Sequence, residues 1–170
     1  MSLASARLQS ERKNWRKDHP HGFVAKPSLN RDGTSNLFQW DIKIPARTNS
    51  IWAPGIYTAT MTFTEDYPEK PPKVVFAKID GEPLFHPNVY NDGNVCLSII
   101  NPENSRHAYG IGGTWKPSIT IKQVLLSLQI FLDEAQSFAA GRDEAYRLYT
   151  HNRAEYITRV KKQVAKVEQV

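Results

Sequence analysis

The sequence is short of cysteine, with one residue, Cys96, in 170. A single thiol excludes an internal disulfide. A chain without a disulfide framework is expected in the cytosol or nucleus. Long apolar runs are missing as well: no stretch approaches the roughly 18 residues that a membrane span requires. The first 20 residues turn charged by Arg7 and hold no apolar centre, so no secretory leader is expected there. Neither a Cys/His ligand cluster nor a phosphate-binding glycine loop occurs, so no metal and no other cofactor is expected. Internal repeats and low-complexity tracts are absent too.

What remains has ordinary globular composition. Hydrophobic residues make up 40% and charged residues 23%, which excludes global disorder. A length of 170 residues suits a single domain, 1–170. Such a chain buries roughly 70% of the surface it exposes when unfolded. The net charge of +5 is unevenly spread: residues 1–20 carry +3, residues 141–170 carry +3, and the stretch between carries −1. Both basic ends read as helices. Their charge either faces solvent or docks an acidic protein surface. Aromatic residues do not interleave with the basic ones, which argues against nucleic acid.

Along the chain, residues 3–17 predict a helix with Leu8 and Trp15 on one face and Arg7, Glu11, Arg12 and Lys13 elsewhere. His19-Pro20 ends it. Four strand candidates follow: Phe23–Lys26, Phe38–Ile44, Tyr57–Phe63 and Val74–Phe76. The second and third alternate strictly, and Asp32-Gly33 ahead of the second is a hairpin turn signal. Short connections imply an antiparallel meander. Thr120-Ile121-Lys122-Gln123 has capping-box spacing and opens a helix with Ile121, Val124, Leu125, Leu128 and Leu132 in period. Ala145, Leu148 and Tyr149 mark another helix, and Ile157, Val160, Val164 and Val167 a last one. The fold class is therefore α+β.

Residues 77–119 show little periodicity, which in a compact domain marks function or disorder. They contain Phe85-His86-Pro87-Asn88-Val89-Tyr90 and Cys96-Leu97-Ser98-Ile99. A thiol-protease reading fits poorly. Histidine, asparagine and cysteine lie within eleven positions, and proline stiffens the chain just after His86.

Asp66-Tyr67-Pro68, Pro71-Pro72-Lys73, the His-Pro-Asn triplet ending eight residues before Cys96, and Trp115-Lys116-Pro117 together resemble the ubiquitin-conjugating-enzyme family, over residues 3–165. Within it the chain is most similar to the SUMO-conjugating branch. The residues behind this are Glu11-Arg12-Lys13, Trp15 to Pro20, Gly22 to Ala25, Cys96-Leu97-Ser98 and Ile121-Lys122-Gln123. The resemblance implies a four-stranded antiparallel sheet flanked by about four helices. It also implies that an activating enzyme loads a small modifier onto Cys96 as a thioester, which a substrate lysine then attacks. Ubiquitin in place of SUMO, or a noncovalent modifier-binding scaffold, are the alternative functions.

The same resemblance assigns roles. Asn88 would donate a hydrogen bond that holds the loop, stabilises the oxyanion, or both. His86 would be structural. Lys73, Tyr90 and Tyr146 would contact the substrate. Asp92 and Asn94 stand where the branch has small hydroxyl residues, and Asp92 should disfavour an acidic substrate position. Arg12, Lys13, Arg16, Lys17 and His19 would bind the activating enzyme and a second, noncovalent SUMO. SUMO ligases and substrate proteins complete the expected partners, in nucleus and cytoplasm. The family's aspartate facing the incoming lysine is replaced by Ala139, so slow lysine attack is expected. Some ten extra residues near 101–114 predict a mobile loop, either a tolerated insertion or a partner-specific gate.

Overall fold

The structure, a computed structural model, describes residues 1–102, 113–135 and 142–170. The expectations for Ala139 and for most of the 101–114 loop lie outside the described residues.

Helix α1 spans Leu3–Lys17, with the Ser2 hydroxyl accepting the Ser5 N–H at 3.1 Å. Arg16 and Lys17 occupy its last turn, where cations complement the exposed carbonyls. It buries Ala4, Leu8, Glu11 and Trp15. Glu11 corrects the expectation that it lies off the apolar face. Its Oε1 accepts Arg7 Nη2 at 2.9 Å, and its Oε2 accepts the Ile121 N–H at 3.2 Å. A buried carboxylate is tolerated because it is paired. One of its bonds satisfies an orphan donor at the start of the next helix. Arg7 also donates to the carbonyls of Pro117 and Ile119, at 2.8 and 3.2 Å.

The sheet follows the predicted meander, with longer strands. They are β1 (Val24–Leu29), β2 (Ser35–Pro45), β3 (Gly55–Thr62) and β4 (Lys73–Phe76), antiparallel in that order. Pro27 sits in the edge strand β1, where a missing N–H is tolerated. Trp40 pairs with Met61, and Ile42 with Ala59. Their inward side chains, with Tyr57, Val74 and Phe76, join one core with Val124, Leu125, Leu128 and Leu132 of α2 (Ile121–Asp133). The capping box at Thr120 is present as expected.

Helices α3 (Asp143–His151) and α4 (Arg153–Val164) follow. The last helix stops at Val164, so Val167 lies beyond it, contrary to the periodic reading. The chain instead forms a short strand, β5 (Glu168–Gln169), antiparallel to the start of β3 through Gly55 and Ile56. Lys43 Nζ bonds Glu168 across 2.6 Å and helps seat it.

Candidate active site

The aperiodic stretch after β4 is ordered by backbone hydrogen bonds rather than by side-chain period. The Cys96 N–H donates to the Asn88 carbonyl at 2.9 Å, and the Tyr90 N–H to Asn94 at 2.9 Å. Val89 bridges Val95 between them. Residues 88–96 therefore form a small hairpin, and the eight-residue separation places Asn88 opposite Cys96 by register. The outer arm returns along β4: the Phe76 N–H donates to Gly93 and the Val95 N–H to Val74, at 2.9 and 3.2 Å. Glycine at 93 is required twice over. Its φ is +90°, and a Cβ there would stand 2.3 Å from the Phe76 carbonyl oxygen. A 3₁₀ turn, Ser98–Ile100, follows the cysteine.

His86 anchors the other side. It is buried, stacks on Phe131 at 4.1 Å, and donates from Nε2 to the Phe131 carbonyl at 2.7 Å. Its Nδ1 accepts the Asn88 N–H at 3.0 Å. Burial lowers its pKa from 6.5 to about 4, so the ring is neutral and pinned to the end of α2. That geometry matches the structural role expected for it. Asn88 is fully buried beside it.

Two further braces lay outside the sequence reading. Gln163 of α4 accepts the Phe85 N–H at 2.8 Å and donates to the Pro83 carbonyl at 2.9 Å. Arg142 donates its backbone N–H to Pro87 at 3.2 Å, and its guanidinium lies over the Phe85 ring. Both contacts span more than fifty residues and leave no local pattern to read.

Cys96 opens on a groove of about 410 Å³ lined by Pro71, Pro72, Lys73, Tyr90, Asn94 and Asn101 among others. The residue itself is only 3% exposed, and burial pushes its thiol pKa up. The neighbouring Tyr90 and Asn101 side chains oppose that shift. Sequence reading missed Asn101. Tyr90 is half exposed at the rim. Lys73 begins β4 with its side chain in solvent. Asp92 is exposed at the hairpin tip, where its carboxylate accepts the Asn94 N–H and Nδ2 at 2.9 and 2.6 Å. Those bonds and the nearby Lys73 hold its pKa below the ordinary value. Lys73, Tyr90 and Cys96 thus share one groove, with Asp92 beside it. Tyr146 lies half-buried on α3 and is not among the groove's lining residues.

The five basic candidates lie on α1 or just after it. Arg12, Lys13 and Arg16 border a shallow groove against Ser35 and Leu37 of β2. Lys17 borders a different one with Asp18 and Lys122. His19 stacks on Trp15 at 5.1 Å and its Nδ1 bonds the Trp15 carbonyl at 2.8 Å. Among the described residues, no group of three His, Cys, Asp or Glu side chains could hold a metal ion. No described helix is long and apolar enough to cross a membrane.

Residues 7–164 match the family described as "Ubiquitin-conjugating enzyme". The chain belongs to the ubiquitin-conjugating enzyme family. Among curated proteins it is 48% identical to "SUMO-conjugating enzyme UBC9" of Caenorhabditis elegans, over 96% of this chain and 91% of that protein. It is also 48% identical to "Sumo-conjugating enzyme ubc9" of Dictyostelium discoideum, over 95% of this chain and 93% of the relative. A third relative, "SUMO-conjugating enzyme SCE1" of Arabidopsis thaliana, is 45% identical over 95% and 92%. Enzymes of this family act through a cysteine thioester, and Cys96 is the one cysteine of the chain.

Proposed function

We propose that this chain is a SUMO-conjugating enzyme that carries SUMO as a thioester on Cys96 and passes it to substrate lysines. The observation that carries the reading is near-full-length similarity to three SUMO-conjugating relatives in a chain whose one thiol opens on a built groove. Sulfur suits the task, because a thioester keeps the acyl group reactive toward amines where an oxygen ester would not. Loading is an acyl exchange: Cys96 Sγ bonds the modifier's terminal carbonyl carbon as the bond joining that carbon to the activating enzyme breaks, and the activating enzyme leaves with the displaced electron pair. Discharge replaces the Cys96 thioester bond with a C–N bond to lysine and releases the thiolate.

The site residues divide the work. Asn88, fixed opposite Cys96 by the hairpin, donates its amide to the oxyanion of lysine attack or holds the hairpin in place. Tyr90 and Tyr146 flank the incoming lysine. Lys73 draws an acidic substrate side chain, and ionised Asp92 beside it opposes that preference. Arg12, Lys13, Arg16, Lys17 and His19 receive the SUMO-activating enzyme and a second, noncovalent SUMO. Ligases and substrate proteins complete its partners. The whole of 1–170 acts as one catalytic domain, in nucleus and cytoplasm.

The test is to incubate the protein with ATP, SUMO and the SUMO-activating enzyme, and in parallel with ubiquitin and its own activating enzyme. A reductant-labile adduct with SUMO and little with ubiquitin supports the reading. Preference for ubiquitin would keep the chemistry and change the modifier. Noncovalent SUMO binding without any adduct would make the chain a scaffold.

A further inference from the structure

The segment that leads into His86 borders a second cavity, of about 260 Å³, against Pro83 and Phe85. Four of its lining residues are cations: Arg142, Arg159, Lys162 and Lys166. Its one lining carboxylate is Glu82. Arg159 and Lys162 stand about one turn apart on α4, which puts both on one face. Phe85 gathers the two guanidinium groups: Arg159 lies 4.3 Å and Arg142 5.1 Å from its ring centroid. Arg142 Nη1 donates to the Pro83 and Leu84 carbonyls at 3.2 and 3.4 Å. Neutral carbonyls fix that guanidinium in place without cancelling its charge. Arg159 and Lys166 are already matched, by Glu144 at 3.0 Å and Asp80 at 2.9 Å. Arg142 and Lys162 are not: among the described residues, neither has a carboxylate at ion-pair distance, and Glu82 pairs with none of the four. Burial draws the Arg142 pKa below its ordinary value and Arg159 adds to that, while Glu144 and Glu82 oppose it.

We propose that this cavity binds a phosphate monoester, with Arg142 and Lys162 as its cationic partners. The charge count selects the ligand. Two unmatched monocations meet the charge of about −1.5 to −2 that a phosphate monoester carries near pH 7. A single carboxylate would leave one cation over. Arg142 has spent Nη1 on carbonyls, and its Nε and Nη2 are left for phosphate oxygens in the planar fork that suits them. Lys162 brings a point charge on a flexible stem. Glu82 repels further negative charge, which favours one phosphoryl group over a polyanion. The cavity shares no lining residue with the groove at Cys96. The proposal therefore does not depend on the thioester reading.

Titration of the full chain with glycerol phosphate and with a capped glycine peptide bearing one phosphoserine, followed by phosphorus NMR at low salt, tests the site. Tighter binding of the peptide places the ester on a protein segment. Equal or tighter binding of glycerol phosphate makes the ligand a free small molecule, and either result supports the site. The same peptide with glutamate at the central position should compete about tenfold more weakly, and equal competition would overturn the choice of a dianion. Lys162→Gln should weaken phosphate binding about fivefold, and Lys162→Glu should weaken it further. Lys162 makes no ion pair that folding would lose, so both variants decide the question even if Arg142→Gln, which frees the Pro83 and Leu84 carbonyls, fails to fold. Lys26→Gln removes an equal charge from β1 and should leave binding unchanged. No binding of either probe, or equal losses from Lys162→Gln and Lys26→Gln, would overturn the proposal.

Discussion

His86, Asn88 and Cys96 show how three side chains in eleven positions divide structure from chemistry. The histidine is spent on the carbonyl end of α2, not on the thiol, and its burial carries a signature in pH. Its pKa falls from 6.5 unfolded to about 4 folded, so the unfolded chain binds the extra proton first. The stability this group lends is fully present above pH 6.5, declines between 6.5 and about 4, and is gone below. It amounts to about 3 kcal/mol. Urea melts from pH 7 to 4 should show that decline. His86→Gln should start lower at pH 7 and lose less across the window. An equal slope would mean His86 is not the titrating group. At Asn88, truncation to alanine separates two roles. If the amide serves the oxyanion, Asn88→Ala loads nearly normally and discharges on the order of 10²-fold more slowly in single-turnover assays. Equal loss in both steps would assign the residue to holding the hairpin. These residues were legible because motif and spacing name them. The braces from Gln163 and Arg142 were not, because each is a contact across more than fifty residues of chain.

At the scale of elements, helical period found the four α-helices of the described residues and strict alternation found β2 and β3, since each buries one regular face, while the shorter β1 and β4 were placed without that alternation. The short β5 escaped because two residues carry no period, and its position depends on Gly55, Ile56 and Lys43 far upstream. Glu11 could have been read differently. Ala4, Leu8, Glu11 and Trp15 follow 4-3-4 spacing, so a carboxylate on that stripe was itself a sign of a buried polar contact. Removing it tests the joint between α1 and α2. Glu11→Ala leaves the buried Ile121 N–H without its acceptor and strips the carboxylate from an Arg7 guanidinium still bonded to the Pro117 and Ile119 carbonyls, and should cost about 2–3 kcal/mol in chemical denaturation. A loss under 0.5 kcal/mol would show that water replaces the carboxylate at little cost. Gly93→Ala strains a positive φ and drives a methyl into the Phe76 carbonyl. It should depress Cys96 charging more than global stability. Matched losses in both would show that the hairpin and the sheet behave as one unit.

Across the whole molecule, one core beneath the sheet fixes where the thiol, the groove and the basic ends stand relative to one another. The charge arithmetic located basic termini without showing how their side chains divide. On α1, three cations face β2 while Lys17 sits beside Asp18 and Lys122. Reversing charge on the larger group, with Arg12→Glu and Lys13→Glu together, should slow charging by the activating enzyme. The deficit should widen at low salt, where the Debye length grows from about 8 Å to about 30 Å. Charging rates unchanged at every ionic strength would return both residues to a solvated face. The central claim is that Cys96 carries the modifier, and the bond it forms can be watched directly. With SUMO, ATP and activating enzyme, wild type should give an adduct that reductant removes. Cys96→Ser should give a slower adduct that resists reductant, because the hydroxyl is the weaker nucleophile and its ester the stabler bond. Cys96→Ala should give none, and an adduct that persists in Cys96→Ala would contradict the account.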